Sequence, residues 1–342
     1  MSYTAYTTHD LLQLVRINRE PDPFFLTNFF KSQINFTDEW VDFDRVDEGR
    51  RLAPFVAPTA QGVPIIKDGY TTKRFKPAYV KPKGIVDPSQ LINRMAGESY
   101  TGSMSLSQRR DATIADMTRK FRNQIVRRWE WMAAQAVLYS SVTVSGENYP
   151  SVTIAFGRDA SLTSTLTGTD AWTNSASTPQ ADLEEMIRVM RDLSGYGVES
   201  VVMGTSAWAA YSTHASTLSL LETRRGSTSS AEVGPGTGTP YTYKGKFGDI
   251  GVWVYSDKYE NDSGAQTNFM DPRDVFGVST DGFQGHRCFG AILDKKAGYQ
   301  ALEIFTKLYE EEDPSAEFML MQSAPLMVPK EPNASFRIRA VE

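Results

Sequence analysis

Few side chains in this 342-residue sequence are spaced for chemistry. The three histidines, His9, His214 and His286, fall into neither H-E-x-x-H nor a close His pair, the spacings that let imidazoles share a zinc ion. Cys288 is the single cysteine, which excludes an intrachain disulfide framework and fits a reducing compartment. Its neighbours Arg287, Phe289, Gly290 and Ile292 predict a strand in which a small thiol packs as an apolar group. The run GPGTG at 234–238 resembles a phosphate loop. However, Gly245-Lys246 is followed by Phe247, so the hydroxyl that would hold Mg²⁺ is missing. No G-x-S-x-G elbow is present, and the acidic run Glu310–Asp313 lacks the spacing and turn glycine of a calcium loop. No catalytic, cofactor-binding or metal-ligating residues are assigned, and no cofactor is expected. An α/β enzyme with an unrecognised site stays open as the reading of another class.

The composition is that of a folded chain, with 40% hydrophobic and 23% charged residues. A net charge of −5 argues against nucleic-acid binding as the main task. The opening MSYTAYTTHDLLQLVR has neither a basic nor an apolar leader region, so no signal peptide is expected. No apolar run approaches the ~20 residues of a membrane span.

The elements are more telling. Residues 1–20 predict a short helix ending near Pro21. Residues 21–36 are dense in Phe24, Phe25, Phe29, Phe30 and Phe36, either a core-packing segment or an arm docking on another subunit. An acidic stretch follows, with Asp42 and Asp44 at its centre. Residues 52–96 hold six of the 17 prolines, Pro54, Pro58, Pro64, Pro77, Pro82 and Pro88, which excludes helix and predicts an extended β-loop. So long an irregular excursion is expected to serve function or a neighbouring molecule.

Residues 106–141 carry Ile114, Met117, Phe121, Ile125, Met132 and Ala136 at helical spacing, which predicts one long helix of about 50 Å. Its early polar face is basic, including Arg119 and Arg122. A second helix is expected from Thr178 to about Leu193, with Pro179 at its first position and Gly195 as its stop. Val198–Met203 predicts a strand, then a short helix capped by Thr205 or Ser206. Residues 142–177 are expected as β or loop, and 222–246 as a polar loop. Further strands are expected at 247–255, 287–293, 300–309, 317–328 and 336–341.

These features describe an interaction protein whose outlying segments are completed by other copies. The expected inter-subunit contacts are Phe24, Phe25, Phe29, Phe30, Asp42, Asp44, Arg119, Arg122, Arg224 and Arg225, with the acidic stretch attracted to the basic helix face. The expected loop contacts are Val56, Ile65, Ile66, Lys67, Lys73, Phe75 and Tyr79.

Five collinear blocks, DPFFLTNFF (22–30), YVKPK (79–83), TRRGS (223–227), YKGKFGD (243–249) with VYS (254–256), and QSAPLMV (322–328), resemble the major capsid proteins of phage lambda and its relatives. The resemblance implies an α+β tailed-phage capsid fold. Its parts map to an N-terminal arm (1–51), an extended loop (52–96), a peripheral domain (97–177 and 311–342) with the spine helix 106–141, and an axial domain (178–310). It also implies hexamers and pentamers in an icosahedral head shell that encloses double-stranded DNA without sequence-specific binding and expands during packaging. The implied location is the virion, with assembly in the host cytoplasm. The implied partners are other copies, a separate scaffold protein, a portal, and a decoration protein at the three-fold positions. Some relatives weld subunits through Lys–Asn bonds. Lys67, Lys73 and Lys76 lie in the loop, but lambda-like shells use decoration proteins instead. A cellular nanocompartment shell of the same fold is the alternative reading.

Overall fold

The computed structural model describes residues 21–38, 40–46, 52, 55, 57–59, 61, 70–93, 104–146, 149–218, 230–231, 239–261, 263–312 and 315–342. The helix expected over 1–20 lies outside them.

One helix, Leu106–Tyr139, organises the fold. Ser105 and Gln108 start it with a reciprocal capping box: Ser105 Oγ accepts the Gln108 N–H, and Gln108 Oε1 accepts the Ser105 N–H. It ends two residues earlier than expected, at Ser140, which takes a left-handed conformation (φ 49°). Before Trp129 it buries only Thr113 and Ile125, whereas from Trp129 to Leu138 it is buried on nearly every side. Arg158 closes its C-terminal end, donating to Val137 O (3.0 Å) and Leu138 O (2.7 Å). A guanidinium there satisfies two orphan carbonyls and places a cation at the negative end of the helix dipole. Burial, followed by the nearby Arg337, lowers its pKa to about 10.

Beside this helix stands a seven-stranded mixed sheet. Its strands run in the order Thr163–Thr165, Ser335–Arg339, Asp274–Val278, Ser200–Gly204, Ile250–Tyr255, Tyr241–Phe247, Ser230–Ala231. Strand alternation divides its side chains between two cores. Val202, Tyr255, Phe276 and Val278 join the long helix on one face. Val201, Met203, Val252, Val275, Phe336 and Ile338 meet Leu183, Met186 and Met190 of the helix Pro179–Ser194, and Ala207 and Tyr211 of the helix Thr205–Thr213, on the other. Asp274, fully buried, takes two hydrogen bonds from Arg337 (2.9 and 3.0 Å), so its charge is paired inside the sheet.

A smaller three-stranded sheet covers the first half of the long helix. The hairpin Phe305–Glu312 and Ser315–Gln322 adds Lys83–Val86 as its third strand. Arg110 ties helix to sheet through a two-bond contact with Glu317 (2.8 and 2.7 Å). A third sheet joins Ser32–Asn35, His286–Phe289 and Pro325–Val328. The strands Val41–Val46 and Tyr70–Phe75 form a two-stranded ribbon that, among the described residues, pairs with no other strand.

The class is α+β, as expected, but several details differ. Residues 52–96 do contain a short helix, Pro88–Ile92. Pro88 stands at the first helical position, where its missing N–H costs nothing, and Asp87 caps the Ser89 N–H. Thr178 is the N-cap of its helix but makes no side-chain cap bond, while Gly195 ends that helix at φ 81° as expected. Gly204, rather than Thr205 or Ser206, caps the next helix, because the strand before it runs to Gly204. The strand expected over 247–255 is a hairpin turning at Gly248 (φ 59°), and that over 317–328 is two strands in different sheets. The other expected strands are found at Ser200–Gly204, His286–Phe289, Phe305–Glu312 and Ser335–Arg339, and hairpins occupy Ser141–Gly146 with Tyr149–Ala155 and Lys258–Glu260 with Gln266–Asn268. Sheet pairing also crosses the expected partition of the chain. Thr163–Thr165 and Ser335–Arg339 run in the same sheet as Ser200–Gly204 and Asp274–Val278, with Phe336 and Ile338 of the one and Leu162 and Leu166 beside the other in that sheet's second core.

Candidate assembly surfaces

The aromatic segment lies inside its own chain. Phe24–Phe29 form a one-and-a-half-turn helix, and Phe24, Phe25, Phe29 and Phe30 are all buried. Phe25 stacks on Phe276 (5.5 Å between centroids) and meets Tyr255 edge-on (5.0 Å), and Phe24 lies 4.9 Å from Tyr241. The expectation that these four rings reach a neighbouring subunit is therefore corrected: the apolar side of the central sheet needed them, and no surface is left to offer.

What fixes this small helix is Glu130. The helix has Pro23 at its N-cap and no side-chain cap of its own. Glu130, on the long helix, accepts the N–H groups of Phe25 (2.8 Å) and Leu26 (2.9 Å) instead. Burial pushes its pKa up to about 8 against the downward pull of those two bonds, and Asp257 and Asp22 add to the rise. Sequence reading missed Glu130. The one available hint was an acid in the run EWMAAQAVL, which the structure buries.

The ribbon Val41–Val46/Tyr70–Phe75 is anchored at one end by Val41, which is buried in the core. Leu52 and Phe55 are fully exposed and Trp40 is about half exposed. The register sets Asp42 opposite Arg74, and Asp44 opposite Thr72. Lys73 lies on the same strand, opposite Phe43. Phe75 packs partly against the core. Tyr79 donates to Ala291 O (2.6 Å) and accepts from Leu293 N, so both residues root the loop in its own chain rather than presenting it outward. Val56, Ile65, Ile66, Lys67, Arg224 and Arg225 lie outside the described residues.

The basic helix face divides in two. Arg119 and Lys120 both pair with Asp116 one turn back. Arg122 is exposed and edges a cleft of about 890 Å³ between the Phe24–Phe29 helix, the long helix and the start of the Phe305–Glu312 hairpin. Leu26, Phe30, Val126, Trp129, Ile304 and Met321 give the cleft an apolar floor, and Lys31, Arg122 and Arg287 outnumber Glu303 at its rim.

Cys288 and His214 are internal. Burial pushes the Cys288 thiol up to about 12. His214 is buried and bonded through its ring to Ser177, Ser216 and the Asn174 carbonyl. Among the described residues no group of three acidic, histidine or cysteine side chains is placed to hold a metal ion. No helix among them is long and apolar enough to cross a membrane.

The chain matches the profile of the phage major capsid protein E family over residues 7–340. It is 30% identical to the major capsid protein of Escherichia phage lambda over 335 residues, covering 96% of this chain and 97% of that one. Its identity to the major capsid protein of Enterobacteria phage phi80 is also 30%, with 98% and 99% covered. A prophage capsid protein from Escherichia coli CFT073 superposes with a TM-score of 0.69 at 23% identity, over 93% of each chain.

Proposed function

The chain belongs to the phage major capsid protein E family, and on that premise we propose how it builds the virion shell. Copies assemble as hexamers and pentamers into an icosahedral head around double-stranded DNA, and the shell expands as the genome is packaged. The parts act as an arm, an extended loop, a peripheral region around the long helix and an axial region around residues 178–310. A separate scaffold protein guides assembly in the host cytoplasm, a portal occupies one vertex, and a decoration protein binds the three-fold positions. The work is assembly and conformational change, without catalysis.

The observation that carries this reading is the ribbon Val41–Val46/Tyr70–Phe75. A lone two-stranded ribbon is marginal in water, and this one stands beside exposed Trp40, Leu52 and Phe55. A neighbouring copy that covers it stabilises both. Asp42, Asp44, Arg119, Arg122, Arg224 and Arg225 are proposed as contacts between copies. Val56, Ile65, Ile66, Lys67 and Lys73 are proposed as loop contacts to a neighbour or to the decoration protein. Electron microscopy of the purified chain, alone and co-expressed with its scaffold, tests the reading. Shells or capsomers are expected, and a chain that stays strictly monomeric under every condition overturns it.

A further inference from the structure

We propose that Glu130 is a proton-operated latch that holds residues 21–31 against the long helix and releases them when it ionises. The latch is internal to one chain, so it operates in a free subunit, a capsomer or a shell alike, and it goes beyond the assembly reading above.

The geometry is specific. The only bonds fixing the start of the Phe24–Phe29 helix from outside that segment, among the described contacts, are the two that Glu130 accepts from Phe25 and Leu26. Glu130 is 2% exposed. The charged groups bearing on it are both acidic: Asp22, which leads into the small helix, and Asp257, which follows the strand Ile250–Tyr255. Tyr255 is a neutral titratable neighbour whose pKa is raised by burial and then by Glu130. Tyr241, on the adjoining strand, interacts with Asp22. The Tyr255 hydroxyl is buried and has no other hydrogen-bond partner. It can accept the proton of a neutral Glu130 while the carboxyl oxygens keep the two amides.

Among the described residues no cation bears on the ionised form. A carboxylate there keeps its two amide bonds but is repelled by Asp22 and Asp257 and has lost its water, which is why burial holds the group up to about 8. The sign follows from linkage. The latched chain carries a proton on Glu130 up to about pH 8, whereas a released chain loses it near the ordinary carboxyl value. The contribution of Glu130 to latching is therefore fully present below the ordinary value and is lost as pH rises toward about 8. Release frees a segment joined at one end to residues 1–20 and at the other, through Ser32–Asn35, to the ribbon. One proton thus bears on the segment that leads to the ribbon.

Hydrogen exchange of the full-length assembled protein tests this, read on the peptide 21–31 from pH 5 to 9 and corrected for the intrinsic exchange rate. One proton's difference sets the expected rise in opening at up to about tenfold per pH unit, flattening near pH 8. Glu130→Gln should be flat across the range. Asp257→Asn, which removes one repelling neighbour, should keep the titration but flatten at lower pH. A pH-independent wild type, or a Glu130→Gln chain with the wild-type slope, overturns the latch. If Glu130→Gln fails to fold, Asp257→Asn decides alone, and an unshifted profile overturns the proposal.

Discussion

Gly84 lies directly beneath Phe121: a Cβ built on Gly84 would stand 2.7 Å from Phe121 Cζ and 3.5 Å from Met117 Sδ. At Gly84 the strand returning from the loop therefore meets the long helix with backbone alone. Gly84→Val should destabilise the chain by about 1–3 kcal/mol through overpacking, and Gly84→Ala by less, because the tip of the Phe121 ring can shift. Urea unfolding checks this. Adding Phe121→Leu to Gly84→Val should recover part of the loss, a non-additivity expected of residues in contact.

Arg158→Met should cost about 1–3 kcal/mol, since it leaves two helix-end carbonyls without their donor. Arg158→Lys should recover only part, because an ammonium cannot span both carbonyls in a planar fork. Midpoints of guanidinium denaturation for the three chains give the comparison.

Arg122→Glu should slow shell formation at low salt and flatten its salt dependence. Arg119→Gln should change it less than twofold (an order-of-magnitude expectation for an exposed pair), because Arg119 is already occupied by Asp116. Light scattering of assembly across a salt series reads both. A wild-type salt profile in Arg122→Glu would sink the attraction proposed between the helix face and the acidic strand.

Replacing residues 47–69 with Asn-Gly should leave the unfolding midpoint of the subunit near wild type and abolish shells. The register pairs Val46 with Tyr70, so a two-residue turn can close the ribbon. A deletion running on to residue 80 should destabilise the subunit as well, because it removes Tyr79 and its bonds to Ala291 and Leu293. Calorimetry and electron microscopy of both deletions separate the two effects.

The long helix was legible because its apolar positions recur at helical spacing, a local signal. Pro179 and Gly195 marked the second helix for the same reason. What was not legible is non-local. The density of Phe24, Phe25, Phe29 and Phe30 says that these rings must be buried, but not in which chain, and their partners Tyr255 and Phe276 lie more than 200 residues away. Glu130 reads as one more helix glutamate until Phe25 and Leu26 are brought to it. The proline count correctly predicted extended chain for most of the loop's described residues and failed at Pro88, where position within a helix matters more than abundance.

Ser335–Arg339 lies between Thr163–Thr165 and Asp274–Val278, yet it is translated after both of them. The ribosome must therefore release this segment before the central sheet can close. A message cut short upstream of it yields a chain with an open gap where Phe336 and Ile338 belong, unfit to be built into a lattice.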